Sequence, residues 1–146
     1  MRKIILCLLV LKVSIVSGQG LNVDSSLSAF INEWKGTPYV LGGITKRGID
    51  CSGLNKKLYQ AVYNIKLPEV CYKQWNVTSR VDKTNLLPGD LVFFRSTRSP
   101  SGWHCGCYVG NNMFLHAPQR GEVVKISSLD EEKYKRGYKG AGRITN

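Results

Sequence analysis

Apolar positions recur along this chain in two different rhythms. Leu27, Phe30, Ile31 and Trp34 follow i, i+3, i+4, i+7 spacing, which predicts a helix with one buried side running to about Trp34. Asp24 and Ser25 stand before it as candidate caps, and Gly36, Thr37 and Pro38 stop it. Tyr39, Val40 and Leu41 read as a short extended stretch ahead of the Gly42-Gly43 break. A second helical stripe, Leu54, Leu58, Ala61, Val62 and Ile65, opens after the turn Gly48-Ile49-Asp50-Cys51-Ser52-Gly53. Lys56, Lys57, Gln60 and Asn64 take its outer side, and Leu67-Pro68 ends it.

Residues 69–86 carry no usable rhythm. Beyond the Pro88-Gly89 turn the spacing shortens to that of strands. Leu91 to Phe94 is a compact apolar run. His104 to Val109 and Met113 to His116 read as two strands joined at Gly110-Asn111-Asn112, Val123 to Ile126 as a third, and Tyr138 to Ile144 as a closing one. Helices first and strands afterwards indicate an α+β architecture.

Length changes this picture little: 146 residues with 42% apolar content fit one domain. The first eighteen residues do change it. Arg2 and Lys3 precede the apolar run Ile4 to Leu11, and Val16-Ser17-Gly18 supplies small residues, so residues 1–18 are expected to be a signal peptide and 19–146 a single secreted domain. The apolar run is too short to span a membrane, which takes about 20 residues.

Loss of the leader removes Arg2, Lys3 and Lys12 from 21 basic residues and none of the 10 acidic ones, leaving a charge of about +8. That balance favours anionic partners such as wall polymers. Nucleic acid is disfavoured because the basic residues are spread along the chain and form no recognised motif. Four cysteines remain: Cys51, Cys71, Cys105 and Cys107. They contain no C-x-x-C pair, so no metal site is expected. An exported chain forms one disulfide among the last three, whose pairing the sequence leaves open, and one of them stays unpaired if Cys51 is a working thiol.

Cys51 opens an amphipathic helix. Unpaired N–H groups and the helix dipole favour an anion there, so the position is expected to lower the thiol pKa. A structural cysteine is the alternative reading. A cysteine nucleophile wants an imidazole, and the chain holds only His104 and His116. His104 shares a strand face with Gly106 and Tyr108, while Cys105, Cys107 and Val109 point the other way. A two-residue turn would set the histidines on opposite faces. A three-residue loop would set them on one face, with His116 across from Gly106 and diagonal to His104. Taken singly, each histidine also fits a half-buried structural role.

These segments together resemble the NlpC-type family of peptidoglycan cysteine peptidases. The likeness rests on Gly36-Thr37-Pro38-Tyr39-Val40-Leu41-Gly42-Gly43, on Gly48-Ile49-Asp50-Cys51-Ser52-Gly53-Leu54, on Leu87-Pro88-Gly89-Asp90-Leu91-Val92-Phe93-Phe94, and on His104-x-Gly106-x-Tyr108-x-Gly110-Asn111 followed by Phe114-x-His116-Ala117. It implies a papain-like α+β fold, with N-terminal helices packed on a central antiparallel sheet. It also implies a triad: Cys51 as nucleophile, His104 as base and His116 as orienting residue. Tyr39 would face the oxyanion site, and Asp50 and Ser52 would line the substrate cleft. No metal or organic cofactor is implied. The expected substrate is the peptide stem of peptidoglycan, cut between D-glutamate and a diamino acid by a secreted monomer. Two rival functions use the same residues differently: a Cys–His acyltransferase or amidase on another acyl substrate, and a silent wall-binding module.

Overall fold

The computed structural model describes residues 19–145; the expected signal peptide lies outside them. Helix α1 (Gln19–Trp34) is followed by the short strands β1 (Ile44–Thr45) and β2 (Gly48–Ile49), then by α2 (Cys51–Tyr63) and α3 (Cys71–Asn76). Next come β3 (Ser79–Val81), β4 (Leu91–Arg95), β5 (Trp103–Gly110), β6 (Met113–His116) and β7 (Lys125–Ser128), then α4 (Glu132–Gly137) and β8 (Tyr138–Arg143). Strands β3 to β8 form one antiparallel sheet in the order β3-β8-β4-β5-β6-β7. The expected α+β arrangement of helices on a central sheet is what the chain adopts.

Strand alternation assigns the two faces. Leu91 and Phe93 of β4, with Cys105 and Cys107 of β5, join Leu27, Phe30, Leu54 and Leu58 in a core beneath α1 and α2. Val92 and Phe94 point the other way and pack with Phe114, Leu129 and Tyr134. The β4 corner is fixed by charge: the buried Asp90 carboxylate accepts from Leu87 N at 2.8 Å and pairs with Arg143 of β8 at 2.7 and 2.8 Å.

Four details depart from the sequence reading. Helix α1 runs upstream through Asp24 and Ser25, which therefore do not cap it; neither breaks a helix, and each costs it only tenths of a kcal/mol. Helix α2 stops at Tyr63, not at Pro68, because Asn64 turns left-handed (φ 55°) and sends its N–H back to Tyr59 O. Ala61 is exposed, and Tyr59 and Asn55 are buried in α2 instead. The strand expected at Val123 starts at Lys125: Val124 N donates to Thr37 O (2.8 Å) and Gly36 N to Val124 O (2.9 Å), so residues 123–124 pair with the 36–39 segment, not with β6. The unreadable 69–86 stretch contains α3, β3 and a turn of 3₁₀ helix.

The β5–β6 hairpin sets the histidine parity. Its connection is a two-residue turn, Asn111-Asn112, both with positive φ (51° and 60°). A bulge between Tyr108 and Gly110 adds the extra residue. The two together give the parity of a three-residue loop, and His104 and His116 meet on one face. Gly106 makes the room: a Cβ there would lie 2.7 Å from Leu115 O and 3.1 Å from the His116 Cβ. Gly106→Ala is expected to destabilise the protein by about 1–3 kcal/mol, read as a lower urea midpoint with an unchanged slope.

Candidate active site

Three backbone constraints place Cys51 at the first position of α2. Asp50 is extended (φ −100°, ψ 177°) and caps the helix: its Oδ1 accepts from Gly53 N at 2.7 Å and from Ser52 Oγ at 3.1 Å. Its Oδ2 accepts from Gly42 N at 2.8 Å, which fastens the Gly42-Gly43 break to the helix start. Gly53 lets that loop come close, since a Cβ there would stand 2.6 Å from Gly43 O. Asp50 and Ser52 thus spend their polar atoms on each other and on the local backbone, and neither lines the cleft.

On the sheet, His104 Nε2 lies 2.9 Å from His116 Nδ1, and both rings are buried. His116 Nε2 lies 2.9 Å from Ser127 Oγ and 3.4 Å from the Tyr134 hydroxyl. A buried polar chain thus runs from His104 through His116 into the second core. With Nε2 occupied, Nδ1 is the His104 nitrogen left for a reacting group. Phe94 lies tilted against His104 at 5.9 Å between centroids, and Phe114 against His116 at 4.5 Å.

Cys51 and His104 line one cavity of about 140 Å³, together with Tyr39, Leu41 and Arg120. A second lobe of about 320 Å³ continues past His104 toward Glu122, Lys133 and Tyr134. The lobes share Ser96, Arg98, His104, Pro118 and Gln119, and an Arg98 Nη1–Gln119 Oε1 hydrogen bond of 2.8 Å stands at their boundary. Arg95, Arg98, Arg120 and Lys133 set a cationic lining against the single carboxylate of Glu122.

Burial overrides the helix dipole at the thiol. The Cys51 pKa is pushed up to about 12, first by desolvation and then by the Asp50 charge, although backbone N–H groups of Cys105, Ser52 and Cys51 pull it down. This reverses the expected lowering. A helix N-terminus contributes about 0.3–2 kcal/mol, whereas taking an ion out of water costs several. Burial, followed by the Lys133 charge, lowers His104 to about 4, and burial lowers His116 as well. At neutral pH the site therefore holds a neutral thiol beside a neutral imidazole. Tyr39 is raised too, by burial and by Cys51.

Of the expected residues, Cys51, His104 and Tyr39 face one cavity, and His116 stands directly behind His104. Ser127, Tyr134 and Gln74 are not among the site residues expected from the sequence. Ser127 lies one residue past the strand expected at Val123 to Ile126. Gln74 is fully buried in α3, where its Nε2 donates to Ser52 O (2.9 Å) and Pro68 O (3.0 Å) and its Oε1 accepts from Asn55 Nδ2 (3.2 Å). Cys71 and Cys105 form the disulfide, with Cα atoms 5.9 Å apart, and Cys107 stays free in the core. The sulfurs of Cys51, Cys71 and Cys105 lie within 4.8 Å of one another, but the disulfide leaves one of the three as a thiol.

Known proteins resemble this chain in sequence and in fold. A "Probable endopeptidase" of Haemophilus influenzae is 40% identical over 127 residues, spanning 87% of this chain and 78% of that protein. The "Murein DD-endopeptidase MepS/Murein LD-carboxypeptidase" of Escherichia coli K12 is 39% identical over 126 residues, 86% of this chain and 65% of its own length. Among solved structures, the "NlpC/p60 domain of peptidoglycan hydrolase SagA" superposes with a TM-score of 0.69 at 29% identity, covering 83% of this chain and 98% of that one. The NlpC/P60 family pattern itself matches residues 36–143, a span that includes the helix start at Cys51 and the whole histidine hairpin; the chain belongs to the NlpC/P60 family.

Proposed function

We propose that the protein is a secreted cysteine endopeptidase that hydrolyses amide bonds in peptidoglycan peptide stems. One observation carries the reading: a cysteine at a capped helix start shares a cavity with a histidine whose far nitrogen is held at 2.9 Å by a second histidine. In this reading Cys51 Sγ attacks the scissile carbonyl carbon and His104 Nδ1 takes the thiol proton. The backbone N–H groups of Cys51 and Ser52 meet the oxyanion, with the Tyr39 hydroxyl at the cavity wall. His104 returns the proton to the leaving amine. Water then cleaves the thioester, giving up its proton through His104 and restoring the thiol. His116 orients His104 and fixes its tautomer. Asp50 and Ser52 hold the nucleophile's backbone.

The cationic lining suits the free carboxylates of a stem. An oxidising compartment suits the Cys71–Cys105 disulfide, and so agrees with export. No described helix is long and apolar enough to cross a membrane. The proposed bond joins D-glutamate to the diamino acid. The name of the Escherichia coli relative favours a second reading, a DD bond between cross-linked stems.

Digestion of purified stems by residues 19–146, read by mass spectrometry, separates these readings by product mass. Cys51→Ala is expected to lower turnover by roughly 10⁴-fold or more; products that persist in this variant would remove Cys51 from the mechanism. The pH dependence follows from the neutral pair. Protonation of His104 removes the base, so kcat/KM is expected to fall as pH drops through about 4 and to stay level between pH 6 and 8. A limb near pH 6.5 would show that His104 is not desolvated. Ser127→Ala is expected to lower kcat about tenfold with KM unchanged, and Ser127→Thr to restore it, as a hydrogen-bonding positioning role requires.

A further inference from the structure

Cys51 Sγ lies 3.4 Å from Cys71 Sγ, the near sulfur of the Cys71–Cys105 disulfide. The proposed peptidase reaction gives that neighbour no role. Roughly 3–3.5 Å is the separation of reacting atoms in a near-attack contact, and because Cys105 Sγ lies within 4.8 Å of Cys51 Sγ, the approach comes into line with the Cys71–Cys105 bond only after the Cys51 side chain turns about χ1. All three sulfurs are buried, so no water shell separates them. From this geometry we infer that Cys51 has a second reaction, intramolecular thiol–disulfide exchange with Cys71, which stores the nucleophile in a masked form that a small thiol or dithiol releases.

The step balances without an outside oxidant. The Cys51 sulfur attacks Cys71 Sγ, a Cys51–Cys71 bond forms, the Cys71–Cys105 bond breaks, and its electron pair leaves on Cys105. The proton removed from Cys51 ends on Cys105. That thiol has a partner in place, because Cys105 Sγ lies 3.7 Å from Gln74 Oε1, within reach of a weak S–H···O bond. Gln74 is itself anchored by Asn55, Ser52 and Pro68, so the acceptor is fixed before the thiol appears. Release uses the cleft. Cys51 lines the cavity, so an incoming thiolate attacks its sulfur and Cys71 leaves and takes up a proton; a second thiol group then attacks the outer sulfur of the mixed disulfide, which frees Cys51 and leaves the two incoming thiols joined as a disulfide. The raised pKa of Cys51 keeps the forward step slow at neutral pH and speeds it as pH rises.

The masking rests on the peptidase reading only in its consequence, loss of turnover; the exchange itself is read by mapping thiols. The oxidised wild-type chain, residues 19–146, is incubated at pH 9 without reductant, quenched in acid, alkylated and digested. Peptides linked through Cys51 and Cys71 are expected beside those linked through Cys71 and Cys105. A Cys105→Ala variant oxidised with glutathione disulfide is expected to close Cys51 to Cys71, to lose alkylation at Cys51, and to regain it with dithiothreitol. Recovery of the Cys71–Cys105 pair alone in the wild type, linkage of Cys51 to Cys105 instead, or full alkylation of Cys51 in the oxidised variant would each overturn the inference. If Cys105→Ala does not fold, the wild-type map decides. Stem cleavage before and after dithiothreitol then tests the consequence: turnover is expected to rise in proportion to the Cys51–Cys71 fraction reduced. Linkage without any cleavage activity would keep the exchange and remove the peptidase reading.

Discussion

The carboxylate of Asp50 gathers the site. Its two oxygens take Gly42 N, Gly53 N and the Ser52 hydroxyl, so one side chain sets where the glycine loop ends and where α2 begins. As a helix cap it is worth about 1 kcal/mol. As a positioning device it matters more, because a misplacement of about 1 Å at a reacting atom costs on the order of a hundredfold in rate. The same carboxylate works against the thiolate that a nucleophile needs, since its charge helps raise the Cys51 pKa. The protein thus holds the sulfur in place with a group that keeps it protonated.

That tension is resolved across the cleft. His104 is buried as Cys51 is, so both rest uncharged on the walls of the cavity they share. The histidine side is held from behind by His116, Ser127 and Tyr134, all drawn from the sheet and the α4 layer. Nucleophile and base therefore belong to different cores, Cys51 to the helix side and His104 to the face that carries Phe94, Phe114 and Tyr134. The Cys71–Cys105 bridge crosses between α3 and the strand residue next to His104.

What was legible in the sequence is what periodicity can carry. The Cys51 helix and four of the five sheet strands between Leu91 and Arg143 follow from spacing and strand alternation. The hairpin shows the limit: spacing left both parities open, and a bulge plus a two-residue turn gives the parity of a three-residue loop. Helix α3 was hidden because its inward positions are Cys71 and Gln74, a sulfur and a polar amide, so no apolar stripe marks it. The disulfide partner was hidden for a related reason. Cys105 and Cys107 share a strand face, and only the height at which α3 crosses β5 distinguishes them. Ser127 needed the exact end of a strand whose first residues are taken by the 36–39 segment, a pairing between distant parts of the chain.

The Arg98–Gln119 hydrogen bond joins the walls where the two lobes meet above His104. Both residues are on the surface side, where such a bond contributes about 1 kcal/mol. A ligand confined to one lobe leaves it intact; one long enough to occupy both must pass beneath it or part it. The hydrogen bond is therefore a crossbar between two spaces of unequal size, about 140 Å³ on the Cys51 side and about 320 Å³ on the Lys133 side, and it belongs to the walls of both.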